Sequence, residues 1–445
     1  MKLSEIAATL REMGVSPVKS LGQNFLHDRN LAKWIVDQAN ISSKDFVIEI
    51  GPGLGALTEL ALANAAGVLA IEKDKRLAEY LRDRFRSSAL EIVHGDAMEF
   101  DARMLYTKPT VKFLGNLPYY ISSQLLMKFL EYPSAISLWL FMLQKELAKR
   151  LVAAPATSDY GALTLLVQLQ HRVEYLRKVP SSVFLPKPEV DSALVRISER
   201  DPRELPACDH KAFQKLVRRG FSQRRKQLGK LIREELPDWE DKAVELGLNT
   251  RARAEELSLE QWIALTNRIA PIPAEVINDA PEEQFPVVDE EDRLKGTALR
   301  SKVHANNFLH RAVHVLIFNP AGEVFLQMRS RWKDRHPLAW DSSAAGHVNA
   351  GEDYDQAASR ELREELGVDI PLVRVAKLPA SERTGYEFIC LYRGSHAGEL
   401  RLNPSEIEAG RFFPPTIVDD WMTARPRDFA PGFVECWKIG REKNP

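Results

Sequence analysis

The sequence of 445 residues has little cysteine and no long hydrophobic run. Its three cysteines, Cys208, Cys390 and Cys436, lie far apart and match no metal-binding spacing, which favours a reducing compartment over a disulfide framework. No stretch approaches the roughly 20 apolar residues that cross a bilayer. Residues 1–15 carry charges throughout, so they do not resemble a secretory signal. We therefore expect a cytoplasmic protein with no membrane partner and with two or three domains.

The net charge of −1 conceals an uneven distribution along the chain. Residues 1–270 contain 39 Lys and Arg against 34 Asp and Glu, whereas residues 271–445 contain 22 against 28. Basic residues cluster in the segment 215–233, which reads KLVRRGFSQRRKQLGKLIR. Clustered positive charge favours a polyanionic partner, and a solvated helix face is the alternative.

Short apolar runs alternate with helical stretches over residues 45–143, a pattern that predicts a parallel α/β sheet. The predicted strands are 46–50, 68–72, 90–96 and 111–120. Residues 205–268 hold no comparable runs, and they predict a small subdomain of short amphipathic helices.

A segment with the composition of a linker separates the two halves of the chain. Residues 271–286 hold four prolines and three glutamates with few large apolar residues. Beyond this segment, the runs 314–319 and 323–329 flank a Pro-Ala-Gly turn and predict a hairpin, and 353–366 predicts a helix. The predicted organisation is a Rossmann-like α/β domain at 1–200, a helical subdomain at 201–270, a linker at 271–286 and a second α/β domain at 287–445.

A glycine-rich turn, 51–55, follows the first predicted strand and precedes a helix. Such a turn lets backbone N–H groups approach a nucleotide cofactor, although many turns and dinucleotide enzymes look similar. Glu72 ends the second predicted strand and Asp96 ends the third, so both carboxylates face the same crevice. We expect Glu72 to accept hydrogen bonds from ribose hydroxyls and Asp96 to bind an adenine amine.

The segment Asn116-Leu117-Pro118-Tyr119 indicates the target of the reaction. An amine conjugated to a ring is a poor nucleophile because its lone pair is delocalised. The Asn116 oxygen and the carbonyl beside Pro118 can accept its two N–H hydrogens, which directs the lone pair at a methyl group. Tyr119 can stack on the base, as in enzymes that handle flipped nucleotides. The segment therefore favours methylation of a nucleobase amine over a simple helix cap before a turn.

Residues 1–270 resemble the bacterial small-subunit ribosomal RNA adenine dimethyltransferase family over essentially that family's whole length. Further segments that carry the resemblance are 19–28 (KSLGQNFLHD), 184–197 (FLPKPEVDSALVRI) and 221–232 (FSQRRKQLGKLI). The resemblance implies that S-adenosylmethionine is the cofactor and that two adjacent adenosines of 16S ribosomal RNA are dimethylated. It implies cofactor contacts from Gln23, Asn24, Leu26, Gly51, Gly53, Glu72, Asp96 and Asn116. It also implies catalytic roles for Asn116, Pro118, Tyr119 and Phe184, with Tyr119 and Phe184 stacking on the target base.

Two alternatives to this interpretation remain open. Large-subunit RNA methyltransferases share the fold, but their motifs more often read SQNF and NIPY, whereas this chain has GQNF and NLPY. The second alternative is an RNA-binding assembly factor without catalytic activity, and the intact segment 116–119 argues against it. This chain differs from the family pattern at Tyr120 and Gln124, two positions that we expect at the rim of the pocket. The segment 224–228 (RRKQL) favours contact with RNA phosphates.

The segment GHVNAGEDYDQAASRELREELGV fits the pattern G-x5-E-x7-R-E-U-x-E-E-x-G-U, where U is a bulky aliphatic residue. Glu361, Glu364 and Glu365 have the spacing i, i+3 and i+4, so they share one helical face. Three such carboxylates repel one another unless a hard cation is bound, and Mg²⁺ or Mn²⁺ takes oxygen ligands and bridges phosphates. Arg360 is expected to pair with Glu352. An exposed acidic helix would tolerate any order of charges, so the pattern favours a metal site.

This pattern is the Nudix box, and the resemblance implies an α/β/α Nudix domain that hydrolyses a small diphosphate substrate. The metal ligands would be Glu361, Glu364 and Glu365, with Glu364 also catalytic. The surrounding sequence resembles the subgroup related to isopentenyl-diphosphate isomerase, but Ala345 stands at the position of that isomerase's cysteine. Alanine has no thiol chemistry, so hydrolysis is preferred to isomerisation. A ligand-binding sensor is the alternative.

Overall fold

The computed structural model describes residues 2–18, 21–86, 89–272 and 283–443. The chain divides into two compact units, residues 1–270 and residues 271–445. Within the described ranges, no helix is both long enough and apolar enough to span a membrane.

A seven-stranded sheet lies at the centre of the first unit. The strands of this unit are β1 (Phe25–Leu26), β2 (Phe46–Ile50), β3 (Gly67–Glu72), β4 (Leu90–His94), β5 (Val111–Asn116), β6 (Ile136–Gln144), β7 (His171–Val179), β8 (Phe184–Leu185) and β9 (Ser192–Glu199). The order in the large sheet is β4-β3-β2-β5-β6-β9-β7, and β1 pairs with β8 in a separate two-stranded sheet.

The five strands from β4 to β6 run parallel, so β2, β3, β4 and β5 all end at the same edge of the sheet. The four predicted strands are confirmed, although β4 and β5 end earlier than predicted. The parallel arrangement predicted for these four strands is confirmed. Beyond them, β9 pairs antiparallel with both β6 and β7. The described residues between β7 and β9 hold no α-helix, and a parallel connection usually needs one.

Helices cover this sheet and build the helical part of the unit. They are α1 (Leu3–Glu12), α2 (Arg29–Gln38), α3 (Thr58–Leu62), α4 (Lys75–Arg84), α5 (Ser122–Phe129), α6 (Lys145–Leu151), α7 (Ala162–Gln168), α8 (His210–Gly220), α9 (Leu228–Leu231), α10 (Trp239–Glu245) and α11 (Leu259–Ile269). The predicted short helices of 205–268 therefore form. Their core buries Phe213 and Trp262 together with Tyr160 and Leu165. The packing thus extends across the predicted domain boundary after residue 200.

Over residues 283–443, the second unit contains two sheets and four α-helices. Its elements are β10 (Gln284–Val288), β11 (Leu294–Leu299), α12 (Arg300–Ala305), β12 (His310–Phe318), β13 (Val324–Arg329), β14 (Trp340–Asp341), β15 (Ala344–His347), α13 (Tyr354–Leu366), β16 (Val373–Leu378), β17 (Glu387–Ser395), β18 (Ile407–Phe413), α14 (Pro415–Ala424) and α15 (Pro431–Lys443). The larger sheet has the order β14-β13-β12-β17-β16, with β15 on β12 and β18 on β13, while β10 and β11 form a hairpin of their own.

The predicted hairpin and the end of the predicted linker both fall in this unit. The hairpin of β12 and β13 is confirmed, although the two strands pair only at Phe318 and Val324, next to the turn. Of the predicted linker, residues 273–282 lie outside the described residues. Its last three residues belong to β10, so regular structure begins before residue 287.

The helix α13 carries the acidic face predicted from the Nudix box. Asp353 caps its first turn by accepting from the Gln356 backbone N–H, and Gly367 ends it in the left-handed conformation (φ 66°). These are the start and stop signals that side-chain capping and a terminal glycine provide. The cap fixes where the helix starts, and therefore which residues face the core.

Replacement of Gly229 tests the packing of the helical subdomain. A Cβ atom at this residue of α9 would lie 2.2 Å from the Trp239 ring. We expect Gly229→Ala to lower the free energy of unfolding by about 1–3 kcal/mol, because an overpacked core must shift its neighbours. The measurement is urea unfolding followed by tryptophan fluorescence. Gly161→Ala is the control, since a Cβ there meets no atom within 4 Å; equal midpoints for the two variants would contradict the prediction.

Candidate functional sites at the sheet edge and on the acidic helix

The carboxyl ends of β2, β3, β4 and β5 surround a cavity of about 80 Å³. Seven of the eight predicted cofactor residues line it: Gln23, Asn24, Gly51, Gly53, Glu72, Asp96 and Asn116. Leu26 lies on an adjoining cavity of about 30 Å³, which Asn24, Gly51, Gly53 and Asn116 also line. Residues spread over almost a hundred positions of sequence therefore meet because parallel strands end together.

The glycine-rich turn approaches the cavity with its backbone. Gly51 and Gly53 both have positive φ, 67° and 59°. A Cβ at Gly53 would lie 3.0 Å from the Phe25 ring, so a side chain would fill the space between the turn and the N-terminal segment. Glycine at these positions leaves room for a ligand and gives it access to backbone N–H groups.

Glu72 is buried at the end of β3, with 6% of its surface exposed. Its two carboxylate oxygens accept from the backbone N–H groups of Gly53 (3.2 Å) and Asp74 (2.9 Å). Burial raises the pKa of Glu72 to about 7, because a low-dielectric site disfavours the charged form. The carboxylate is thus held rigidly beside the turn and can accept hydrogen bonds from a polar ligand.

Asp96 lies two residues beyond β4 and already has a charged partner. Lys73 Nζ donates to its carboxylate at 2.7 Å, and the Met98 backbone N–H donates at 2.8 Å. The hydrogen bond from Lys73 holds the pKa of Asp96 below its usual value. Sequence reasoning did not find Lys73, which lines the same cavity and follows Glu72 in the chain.

Asn116 is the last residue of β5, and its side chain is fixed by the N-terminal segment. Its Nδ2 donates to the backbone carbonyl of Asn24 at 3.0 Å. This bond sets the orientation of the amide and leaves the side-chain oxygen as the acceptor for another group. Gln23 is held in a similar way, since its amide donates to Asp74 at 3.0 Å and accepts from the Val18 backbone N–H at 2.8 Å.

The N-terminal segment 19–28 is anchored by a segment 160 residues further along the chain. Phe25 pairs with Leu185, and Leu26 pairs with Phe184, in the two-stranded sheet of β1 and β8. All but two residues of the segment are described; Lys19 and Ser20 lie outside the described ranges. This short pairing joins two segments that the sequence shows only as separate motifs.

The predicted stacking residues take different positions. Pro118 lines the cavity, as does Tyr120, whose surface is 53% exposed. The Tyr119 hydroxyl is hydrogen-bonded to the Ser192 hydroxyl at 2.6 Å, and burial raises its pKa. Phe184 is buried in the apolar core and is not among the described residues that line the cavity. Stacking of Tyr119 and Phe184 on the target base therefore stays a prediction.

The basic segment 224–228 combines a structural contact with exposed positive charge. Arg224 donates to Glu255 (3.1 Å) and to the Ser158 carbonyl (2.5 Å), so it ties the helical part to the loop before α7. Arg225 and Lys226 are exposed. Arg224 is also exposed, with 51% of its side-chain surface accessible, so all three basic residues of the segment present positive charge to solvent.

In the second unit, a cavity of about 470 Å³ opens beside α13. Glu361, Glu364 and Glu365 all line it, as their spacing predicts. Glu365 is 2% exposed and accepts from the Gln327 side-chain amide (3.0 Å) and from the Ala345 backbone N–H (3.2 Å). Glu364 has a side chain 56% exposed, so it faces the open side of the cavity.

Arg360 organises the acidic face. Its guanidinium donates to Glu352 at 3.0 Å, to Glu361 at 2.8 Å and to Glu364 at 3.0 Å, and also to the His347 backbone carbonyl at 2.9 Å. The predicted pairing of Arg360 with Glu352 is confirmed. One arginine thus neutralises part of the cluster and fixes the position of Glu361 relative to β15.

Gly346 leaves space that the Glu361 carboxylate occupies. A Cβ at Gly346 would lie 2.1 Å from that carboxylate. Burial raises the pKa of Glu361 to about 7, and burial together with Glu361 raises the pKa of Glu365 well above its usual value. Both carboxyl groups therefore resist ionisation in the absence of a cation. A hard divalent cation bound between them would stabilise their charged, carboxylate form.

Three histidines near this cavity are not among the site residues predicted from the sequence. One ring nitrogen from each of His304, His310 and His347 lies within 4.8 Å of the others. No regular spacing connects them in sequence, because they come from α12, β12 and β15. Only the pairing of the strands shows that they converge.

Comparisons with known proteins match a different family model to each unit. The profile of the ribosomal RNA adenine dimethylase family matches residues 16–271, and that of the NUDIX domain matches residues 308–433. The chain is 39% identical to a ribosomal RNA small subunit methyltransferase A of Halothermothrix orenii, over 58% of this chain and 90% of that protein. It is 41% identical to the protein of the same name from Prosthecochloris aestuarii, over 57% and 94%.

A solved structure of a ribosomal RNA methyltransferase is also similar to part of this chain. The crystal structure of the 23S rRNA methyltransferase ErmE is 28% identical, with a TM-score of 0.47, over 56% of this chain and 100% of that one. The convergence of the glycine turn, the two acids and Asn116 thus coincides with a family match over more than half of the chain. This protein belongs to the ribosomal RNA adenine dimethylase family, among the small-subunit methyltransferases, and its residues 308–433 match the NUDIX domain.

Proposed function

We propose that the first unit dimethylates two adjacent adenosines of 16S ribosomal RNA, in the cytoplasm, with S-adenosylmethionine as methyl donor. The observation that carries this proposal is the bond from Asn116 to the Asn24 carbonyl at the edge of the cofactor cavity. It holds an amide oxygen where the cavity meets Pro118 and the exposed Tyr120. An amine that enters there meets an acceptor with a fixed position.

The residues of the cavity fit S-adenosylmethionine. Glu72 would accept hydrogen bonds from the ribose, Asp96 would bind the adenine amine, and Gly51 and Gly53 would leave room for the rest. S-adenosylmethionine held by these residues would supply the methyl group, with its sulfur leaving as a neutral thioether. The Asn116 oxygen and the carbonyl beside Pro118 would accept the N–H hydrogens of the target amine and orient its lone pair. One of those protons leaves after positive charge develops on nitrogen, so no strong base is required.

The titration of Glu72 gives a first prediction for cofactor binding. Its pKa lies near 7, and hydroxyl donors prefer the ionised carboxylate. We therefore expect the affinity for S-adenosylmethionine to rise between pH 6 and pH 8, by up to about tenfold. Calorimetric titration over this range is the measurement, with Glu72→Gln as the control, whose affinity should be weaker and independent of pH. If the affinity of Glu72→Gln for S-adenosylmethionine rose with pH as steeply as that of the wild type, another group would cause the pH dependence.

Removal of the Asn116 amide tests the catalytic role. We expect Asn116→Ala to lower the methylation rate of small ribosomal subunits by about 100-fold or more, because an electrostatic acceptor at the reacting amine is lost. Cofactor affinity should fall much less. Asn64→Ala, which changes an exposed asparagine after α3, is the matched control.

Mapping of the modified bases separates the alternatives. Dimethylation of two adjacent adenosines in 16S ribosomal RNA is the expected result. Modification of 23S ribosomal RNA instead would favour the hypothesis of a large-subunit RNA methyltransferase. Full activity of Asn116→Ala would refute the role of this residue, and an inactive wild-type protein that still binds subunits would favour an assembly factor.

We propose that the second unit hydrolyses a small diphosphate with the help of Mg²⁺ or Mn²⁺. The carrying observation is the set of three carboxylates that α13 presents to one cavity. Glu361, Glu364 and Glu365 would bind the cation, which supplies positive charge to the phosphates and activates water. The Ala345 and Gln327 donors hold Glu365 in place, and Arg360 holds Glu361. Glu364, which faces the open side, is a candidate for the base.

Two substitutions test this metal site. We expect Glu365→Gln to lower the hydrolysis rate about 100-fold or more, because a metal ligand becomes neutral. Gly346→Ala should weaken Mg²⁺ binding, since its Cβ would displace the Glu361 carboxylate. Gly432→Ala, on the same cavity, is the matched control, because its Cβ would meet its neighbours only at ordinary contact distance of 3.5 Å.

The assay is release of phosphate from nucleoside diphosphates, capped RNA ends and isopentenyl diphosphate in the presence of Mg²⁺. Release from one class that depends on Glu365 would support the proposal. If wild type binds Mg²⁺ but releases no phosphate from any compound, the ligand-binding sensor becomes the better account.

A further inference from the structure

The cavity beside α13, about 470 Å³ in volume, has almost no apolar wall. Among the described residues that line it, the apolar side chains are those of Ala312, Ala345, Ala430 and Pro431. The other lining residues are charged, polar or glycine. Ligand pockets are usually lined mainly by hydrophobic and aromatic side chains, with few polar groups. This cavity therefore suits a ligand that is hydrophilic over most of its surface.

An isoprenyl tail would gain little free energy from entering this cavity. Burial of one methylene group against apolar surface contributes about 0.8 kcal/mol, but three alanines and one proline provide little such surface. The tail would also displace water from charged side chains, which costs free energy because a hydrocarbon cannot replace the lost hydrogen bonds. The walls thus disfavour isopentenyl diphosphate, although the sequence around the Nudix box resembles the subgroup of its isomerase.

Among the described residues, six arginine and lysine side chains line the cavity, and five of them form an ion pair with a carboxylate. The five pairs are Arg300 with Glu283, Arg329 with Asp341, Lys333 with Glu406, Arg360 with Glu361, and Arg383 with Glu435. Arg335 is the sixth cation, and within the described part of the chain it forms no ion pair. Its positive charge is therefore available to an anionic group of a ligand.

Backbone carbonyls hold Arg335 in place without neutralising it. Its Nη2 donates to the His304 carbonyl at 3.1 Å, and its Nη1 donates to the Gly385 carbonyl at 3.3 Å. Gly385 has a positive φ of 69°, and a Cβ there would lie 3.3 Å from Arg335 Nη1, so glycine lets the backbone approach the guanidinium closely. The remaining N–H groups of the guanidinium can bind a phosphate group.

Two polar side chains of the same cavity can bind sugar hydroxyls. The Glu382 carboxylate and the Asn349 side-chain amide both line the cavity, and among the described residues neither has a hydrogen-bond partner. A carboxylate can accept from two neighbouring hydroxyls of a ribose, and an amide can both donate and accept. These two groups would therefore recognise a hydroxyl-rich ring better than a hydrocarbon chain.

We propose that the substrate of this cavity is a sugar diphosphate that carries a further phosphate group, and that Arg335 binds this additional group. The inference rests on the hydrolysis proposed above and names the class of its substrate. The diphosphate would bind through the cation held by the carboxylates of α13. The sugar hydroxyls would bind Glu382 and Asn349, which line the same cavity as Arg335.

Comparison of three compounds tests the substrate class in the full-length protein with Mg²⁺. They are 5-phosphoribosyl 1-diphosphate, ADP and isopentenyl diphosphate, and both phosphate release and calorimetric binding are measured. We expect kcat/KM for the phosphorylated sugar to exceed that for each of the other two by about tenfold or more. Faster turnover of isopentenyl diphosphate or ADP would overturn this inference and leave the hydrolysis intact. Tight binding of the phosphorylated sugar without phosphate release would overturn the hydrolysis and support the ligand class.

Substitution of Arg335 tests its contact with the additional phosphate. We expect Arg335→Gln to raise KM for the phosphorylated sugar about tenfold or more and to leave its kcat within about threefold, because a binding charge is lost. KM for ADP should stay unchanged, since ADP carries no phosphate beyond its diphosphate. Arg335→Lys keeps the charge but not the planar geometry, so its KM for the phosphorylated sugar should rise less.

Arg363→Gln is the matched control, because this arginine of α13 has a side chain 59% exposed and is not among the residues that line the cavity. Should Arg335→Gln lose its native circular dichroism spectrum, Arg335→Lys decides by the same comparison of KM values. An equal rise in KM for ADP and for the phosphorylated sugar would show that Arg335 does not recognise an additional phosphate, and the proposal would fall.

Discussion

Burial of ionisable carboxylates is the constraint on which both units depend. Glu72 and Glu365 are almost completely buried, and a buried carboxylate costs several kcal/mol unless hydrogen bonds or charges compensate for lost water. The first unit compensates with backbone N–H groups from Gly53 and Asp74. The second uses the Ala345 N–H and the Gln327 amide. Much of the local backbone geometry in each unit therefore serves to hold one acid, and that acid is then positioned for a ligand.

The sequence predicted these acids well because regular structure has fixed periods. Parallel strands end at one edge, which brought Glu72 and Asp96 together, and helical spacing brought Glu361 and Glu365 together. The histidine cluster could not be predicted in this way. It depends on the register of β12 against two strands that lie 30 and 70 residues further along the chain, and register is not visible in a local pattern.

Long-range packing also decides features of the first unit that no motif shows. The strand β9 enters the sheet antiparallel, between β6 and β7, although its apolar residues would suit either direction. Phe184 belongs to a motif, yet it is buried because it pairs with Leu26. Motifs thus identify which residues meet at a site, whereas which of them face the ligand depends on contacts between distant segments.

The pairing of β1 with β8 has a consequence for how the first unit is made. A ribosome delivers the glycine turn, Glu72 and Asn116 well before it delivers residues 184–185, which hold the N-terminal segment in place. Domains fold as synthesis proceeds, so the nascent chain carries an unfinished cofactor site for much of translation. A cofactor that binds among Gln23, Asn24 and Asn116 would find its site complete only after β1 and β8 have paired. An abundant supply of cofactor would therefore not rescue a chain truncated between β7 and β8.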